Sequence, residues 1–257
     1  MELRTLGNSG IRVSPLGLGT VKIGRNQQVK YPESFSLPDD NAVRELLHLA
    51  KDLGINLIDT APAYGSSQER LGRLLPGPRS DWVIMSKVGE SFVNGQSHFD
   101  FSYEATIASV EDSLRTLNTD WLDVVLIHSN GDDLDILERS GAPAALQELK
   151  RRGWIRAHGM SSKTPEGGIK TVEQMDVVMA TANPACHQDL PVLQRAQQLN
   201  KGVVIKKALM SGHIDGPEGV AAALRHVFGL PGVGSLIVGT INPAHLRQNA
   251  ALLESVL

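Results

Sequence analysis

The chain has a single cysteine, Cys186, which excludes an internal disulfide and a multi-thiolate zinc site and suits a reducing compartment. Aromatic residues make up only 4%, and no apolar run approaches the roughly 18 residues of a membrane-spanning helix. Met1-Glu2-Leu3-Arg4 opens with charge where a secretory leader has a hydrophobic stretch, so the expected address is the cytoplasm. There is no excess of one charge either: 25 Lys plus Arg against 28 Asp plus Glu leave −3, with no basic footprint for nucleic acid. No histidine-carboxylate cluster has ligand spacing, so no metal is expected. What is present is apolar material for a sizeable core, 41% of 257 residues, without a low-complexity tract or a linker-like shift in composition. The chain reads as a single domain, 1–257.

Short β-branched apolar runs recur along the sequence, each followed by a segment of helical periodicity. The runs are Pro15 to Gly19, Asn56 to Asp59, Trp82 to Ser86, Leu122 to His128, Trp154 to Met160, Val177 to Ala180, Val203 to Ile205 and Leu236 to Val238. Amphipathic stretches lie between them, at Asn41 to Leu53, Tyr103 to Leu117, Leu134 to Arg151, Leu190 to Leu199, Pro217 to Phe228 and Pro243 to Leu257. Asp39 or Asp40, Ser102 and Thr164-Pro165 are helix-opening residues. Gly54, Gly153 and Gly202 stand where left-handed C-caps would hand helices over to strands. Eight strand-helix units in about 250 residues predict a (β/α)8 TIM barrel of parallel strands, with an open doubly wound sheet as the alternative. Leu3 to Leu6 and Ile11 to Ser14, flanking Gly7-Asn8-Ser9-Gly10, predict an amino-terminal β-hairpin that caps the barrel bottom. Asn26 to Pro38 and Gly89 to Phe101 read as the longest loops, on the face where barrel enzymes work.

Three neighbouring runs end in titratable residues: Asp59 after Asn56-Leu57-Ile58, Lys87 after Val83-Ile84-Met85-Ser86, and His128 after Val124-Val125-Leu126-Ile127. Singly, each has an ordinary explanation as a cap, a rim charge or a loop histidine. Jointly they set an acid, a cation and an imidazole at one barrel mouth, with Tyr64 on the loop that follows Asp59.

The sequence around these residues resembles the aldo/keto reductases over nearly its whole length. The resemblance runs through Arg4-Thr5-Leu6-Gly7, Ser14-Pro15-Leu16-Gly17-Leu18-Gly19-Thr20, Asn56 to Gly65 and Glu69-Arg70-Leu71-Gly72. It continues through Ser113 to Leu117, Asp120 to His128, Val238-Gly239-Thr240 and Asn249. It implies a catalytic tetrad of Asp59, Tyr64, Lys87 and His128, in which Tyr64 protonates a carbonyl oxygen while hydride arrives from nicotinamide C4. Lys87 would lower the tyrosine pKa: at about 4 Å and an effective dielectric of about 20 the Coulomb energy is about 4 kcal/mol, roughly three pKa units before desolvation is subtracted. Asp59 would aim Lys87, and His128 would hydrogen-bond the substrate carbonyl.

The same resemblance implies a nicotinamide cofactor, NADPH rather than NADH, held by Gly19, Thr20, Asp59, Ser161, Ser162, Lys206, Lys207, Gly239, Thr240, Asn242, Arg247 and Asn249. Met179 and Ala182 stand where relatives commonly carry a glutamine and a tyrosine stacked on the nicotinamide, and His245 where NADPH users often have an arginine. Against the pocket-closing tail of many relatives, an open pocket is expected here, with Tyr31, Phe35, Phe92 and the neighbourhood of Trp154 as apolar surface near the loops. The expected activity is reduction of a small aldehyde or ketone by a monomer. A nucleotide-sensing regulatory protein on the same fold, suggested by the altered stacking site, and an unrelated metal-dependent barrel hydrolase are the competing readings.

Overall fold

The computed structural model describes every residue except Lys30, Glu33 and Asp215. Strands β1 (Arg4–Thr5) and β2 (Arg12–Val13) form the expected antiparallel hairpin. Eight parallel strands then close a barrel: β3 (Leu16–Gly19), β4 (Leu57–Asp59), β5 (Val83–Val88), β8 (Leu122–His128), β9 (Ile155–Ser161), β10 (Val177–Thr181), β11 (Gly202–Lys206) and β12 (Val233–Val238). Closure comes from β12 pairing with β3, Leu236 opposite Leu16 and Val238 opposite Leu18, so the open-sheet alternative does not hold.

Alternate residues of each strand face opposite ways, and the two sides form separate cores. Inside lie Leu57, Val83, Met85, Val124, Leu126, Ala157, Val177, Met179 and Val204, and the hairpin residues Leu6, Ile11 and Val13 plug this inner core. Outside, residues such as Ile58, Ile84, Val125 and Ile127 pack against the helices.

The helical layer is α2 (Asp40–Asp52), α3 (Ser67–Leu74), α4 (Tyr103–Thr116), α5 (Asp133–Arg139), α6 (Ala142–Arg151), α7 (Pro165–Gln174), α8 (Leu190–Gln198), α9 (Gly216–Phe228) and α10 (Pro243–Val256), preceded by a single turn α1 (Val21–Gly24). Asp39, Ser102 and Thr164 cap their helices by accepting from the amides of Ala42, Ala105 and Gly167. Among the described residues no helix is long and apolar enough to cross a membrane.

Three local expectations are corrected. The periodic stretch from Leu134 to Arg151 is two helices, because a Cβ at Gly141 would lie 2.4 Å from the backbone nitrogen of Tyr103, a close approach that ends α5 and restarts the chain as α6. Gly54 (φ 76°) and Gly153 (φ 79°) adopt the left-handed conformation, whereas Gly202 lies in β11 and Asn200 (φ 51°) makes the left-handed turn instead. The segment from Gly89 to Phe101 contains an antiparallel hairpin, β6 (Glu90–Val93) and β7 (Gln96–Phe99), with Glu90 opposite Phe99. Its two-residue turn, Asn94 (φ 52°) and Gly95 (φ 78°), is the left-handed pair a tight hairpin requires.

Candidate active site

Strand parity brings the chemistry inward. Leu57, Val83 and Val124 face the barrel interior, so Asp59, Lys87 and His128, an even number of residues further on, face it at the carboxyl ends of β4, β5 and β8. The same parity carries Ser161 on β9, Met179 and Thr181 on β10, and Lys206 on β11 into a common cleft of about 1290 Å³. That exceeds the roughly 300–1,000 Å³ of a drug-sized ligand pocket, and suits a long ligand sharing one groove with a small one.

Lys87 is only 2% exposed, and its ammonium donates to Asp59 Oδ1 and, at 3.1 Å, to the carbonyl of Thr60. A buried lysine is tolerated because both acceptors satisfy it. Tyr64 sits on a single 3-10 turn, Pro62–Tyr64, and its hydroxyl donates to Asp59 Oδ2 at a long 3.4 Å. The Lys87 ammonium lies over the tyrosine ring, 4.7 Å from its centroid. Tyr64 and His128 meet edge to face, ring centroids 6.3 Å apart.

This geometry changes the expected electrostatics. Burial raises the Tyr64 pKa well above its ordinary value, the carboxylates of Asp59 and Glu90 raise it further, and Arg25 pulls the other way. Lys87 is committed to Asp59 and Thr60 and faces the ring, so the structure holds Tyr64 firmly protonated where a lowered pKa was expected.

A second group lies across the cleft. Lys206 donates to Ser161 Oγ at 2.9 Å and to the Ser162 carbonyl at 2.6 Å, and burial, with Lys207 beside it, pulls its ammonium down to about 7. The buried hydroxyl of Ser162 has no hydrogen-bond partner among the described residues. Gly19, Thr20, Lys207, Gly239, Thr240 and Asn249 line the remaining arm, which leads to the amino end of α10.

Two residues of the expected cofactor set do not line the cleft. Asn242 is exposed and caps α10, accepting from the Ala244 amide at 2.9 Å. Arg247 is exposed on the same helix, while His245 does reach the cleft. Ala182 has outward parity and packs in the outer core, so the cleft residue two places after Met179 is Thr181. Of the aromatic candidates, Tyr31 lines the cleft and Phe35 packs edge-on against it, whereas Trp154 precedes β9 at the opposite end of the barrel. Among the described residues no group of three or more His, Cys, Asp or Glu is arranged to hold a metal ion.

Arg25 and Glu90 are the residues the sequence reading missed. Glu90 opens β6, immediately after Gly89 (φ 95°), whose left-handed turn swings the chain out of the barrel strand and back across the mouth. Its Oε2 lies 2.7 Å from His128 Nδ1, its Oε1 accepts from Ser97 Oγ at 2.6 Å, and Arg25 Nη1 stands 3.9 Å away. Burial alone would raise the Glu90 carboxyl, but His128, Ser97 and Arg25 bring it down to about 2. The Asn94-Gly95 pair was the signal for the hairpin that carries it.

The comparisons agree with this architecture. The model of the Aldo/keto reductase family matches residues 15–221. The chain is 35% identical over 167 residues to the L-galactose dehydrogenase of Arabidopsis thaliana, covering 63% of this chain and 48% of that protein. It is 33% identical over 186 residues to the aldo-keto reductase YhdN of Bacillus subtilis, covering 71% of this chain and 51% of that protein. The chain thus spans about half the length of these curated relatives. A solved structure, "Putative aldo-keto reductase from Pseudomona aeruginosa", superposes with a TM-score of 0.91 at 51% identity, covering 99% of this chain and 94% of that one. With eight strands closing the barrel and a family match spanning most of it, the chain belongs to the aldo/keto reductase family.

Proposed function

We propose that the protein is a nicotinamide-dependent oxidoreductase that interconverts a small aldehyde or ketone and its alcohol, as a cytoplasmic monomer, with NADPH favoured over NADH. The observation that carries this reading is the buried Asp59 and Lys87 pair set beneath Tyr64 and near His128, at a cleft long enough for a dinucleotide and a second molecule. Bound there, the cofactor supplies hydride from nicotinamide C4.

The residues present fit such a group. Ser162 offers an unpartnered buried hydroxyl beside Ser161 and Lys206, suited to a carboxamide. Gly19 and Gly239 keep side chains out of the groove, since a Cβ at Gly239 would lie 2.7 Å from Tyr31 Oη. Thr240, Asn249 and the amino end of α10 suit phosphate, with Lys206, Lys207, His245 and Arg247 as the cations from which a 2′-phosphate site is drawn.

Tyr64, kept neutral by burial and by Asp59, holds a proton at Oη for transfer to a carbonyl oxygen. As negative charge develops on the phenol, the Lys87 ammonium stabilises it. His128 orients and polarises the carbonyl, and in the oxidative direction Tyr64 accepts the proton. The name of the Arabidopsis relative brings hydroxylated aldehydes and sugar lactols into the substrate class to be tried.

The test is turnover of an aldehyde, ketone and sugar panel with NADPH and NADH separately. Tyr64→Phe is expected to lower kcat about 10²–10⁴-fold while cofactor affinity, read by nucleotide fluorescence, is unchanged. Absence of any Tyr64-dependent turnover overturns the reading. Titrations of Arg247→Ala and His245→Ala assign the 2′-phosphate to whichever variant loses NADPH affinity and keeps NADH affinity.

A further inference from the structure

The tetrad leaves one interaction unused: the carboxylate that faces the back of His128. We propose that Glu90 is a positioning residue, which holds the Nδ1 edge of His128 so that the ring meets a carbonyl oxygen as an imidazolium. The proposal deepens the carbonyl-reductase reading above and rests on it for the identity of the oxygen.

Glu90 Oε2 lies 2.7 Å from His128 Nδ1, with both side chains mostly buried, 11% and 22% exposed. The approach is off the ring N–H axis, a close charge contact rather than an aligned hydrogen bond. An ionised carboxylate only accepts, so the nitrogen facing it carries a proton. A neutral ring protonated at Nδ1 presents a lone pair at Nε2, which cannot donate to a carbonyl oxygen. Donation from Nε2 therefore requires the second proton, and Glu90 is the counter-charge that makes the doubly protonated ring affordable in a buried site.

The carboxylate is itself fixed. Ser97 donates to its other oxygen across the β6–β7 hairpin, and Arg25 stands behind it. The Arg25 guanidinium is stacked 3.5 Å over the Phe92 ring and donates to the Ala63 carbonyl at 3.1 Å, one residue before Tyr64. Glu90 is thus clamped between the hairpin and the turn that carries the proton donor. The charged and titratable groups facing His128 are Glu90 from β6, Lys87 from β5, Tyr64 from the 3-10 turn and Lys206 from β11. Burial, the largest influence, and the two lysines hold the His128 pKa below the ordinary imidazole value in the unliganded site, and Glu90 is the group that works against them.

The experiment is nitrogen NMR of histidine-labelled protein across pH, joined to pH profiles of kcat/KM for wild type, Glu90→Gln and Glu90→Asp. In the wild type, His128 is expected to be protonated at Nδ1 in its neutral form. Its titration midpoint is expected to fall by one unit or more in E90Q and to be partly restored in E90D. The falling limb of kcat/KM is expected to move by the same amount, and E90Q is expected to add no further loss in a His128→Ala background. A wild-type ring protonated at Nε2, or a midpoint unmoved in folded E90Q, overturns the proposal. Loss in E90Q that persists without His128 also overturns it, because Glu90 would then only brace the hairpin. The NMR arm needs no turnover, so an inactive wild type sinks the carbonyl-reductase reading while the tautomer and midpoint still decide the role of Glu90.

Discussion

Lys206 is the residue whose burial the rest of the fold must offset. Its folded pKa of about 7 lies below the value of about 10.4 in the unfolded chain, so between these the unfolded state binds the extra proton. The penalty is full below about pH 7 and shrinks as pH rises towards about 10. Lys206→Met is expected to raise the melting temperature at pH 6, with a gain that fades by pH 10, as read by circular dichroism. Glu90 has the opposite sign: its folded pKa of about 2 is depressed, so its stabilisation is present above about pH 4.3 and is lost as pH falls through about 2. At this scale the strand-ending Asp59, Lys87 and His128 were legible because a period of two carries side-chain direction along an apolar run. Glu90 and Arg25 were not, because each meets its partner through a hairpin or turn that brings distant sequence together, and no periodicity reports that. The facing of Arg247 was not legible either, since a helix face at the end of a barrel is decided by docking.

Elements are delimited by a few close approaches and caps. Gly141 lets the start of α6 touch the start of α4, so Gly141→Ala is expected to destabilise by about 1–3 kcal/mol, the range for overpacking a tight contact. Urea denaturation would measure it. Asp39→Ala removes the acceptor for the Ala42 amide at 2.8 Å, an expected loss of about 1 kcal/mol from the same measurement. The eight barrel strands were readable because they are buried on both faces and appear as continuous apolar runs. The β6–β7 hairpin escaped because its strands, Glu90-Ser91-Phe92-Val93 and Gln96-Ser97-His98-Phe99, are half exposed and mostly polar, so only the Asn94-Gly95 turn betrays them. The break at Ser140 and Gly141 carried a signal that the apolar count hid: Pro143 stands in the first turn of α6, and the buried Ile136 and Leu137 of α5 are half a turn out of phase with Ala145 and Leu146 of α6.

At the scale of the whole molecule, the inner core depends on a hairpin that is not part of the barrel. Leu6, fully buried, packs against strand residues at the barrel bottom, and a Cβ at Gly202 would lie 2.7 Å from its Cγ. Leu6→Ala is expected to lower stability by about 2–5 kcal/mol and to shift the urea midpoint of the barrel as a whole, while Tyr64-dependent turnover at the far mouth is retained at low temperature. The ring itself is sealed at one seam, where Ser235 Oγ donates to the carbonyls of Ser14 at 2.8 Å and Pro15 at 3.1 Å, and the Leu236 amide donates to Pro15 at 2.9 Å. That seam joins the first barrel strand to the last. During synthesis β3 leaves the ribosome long before β12 exists, so the growing chain is an open sheet with an unpaired edge at each side, the state most prone to stray pairing with other nascent chains. The oldest strand of the barrel waits for the newest, and the barrel can close only once β12 has emerged.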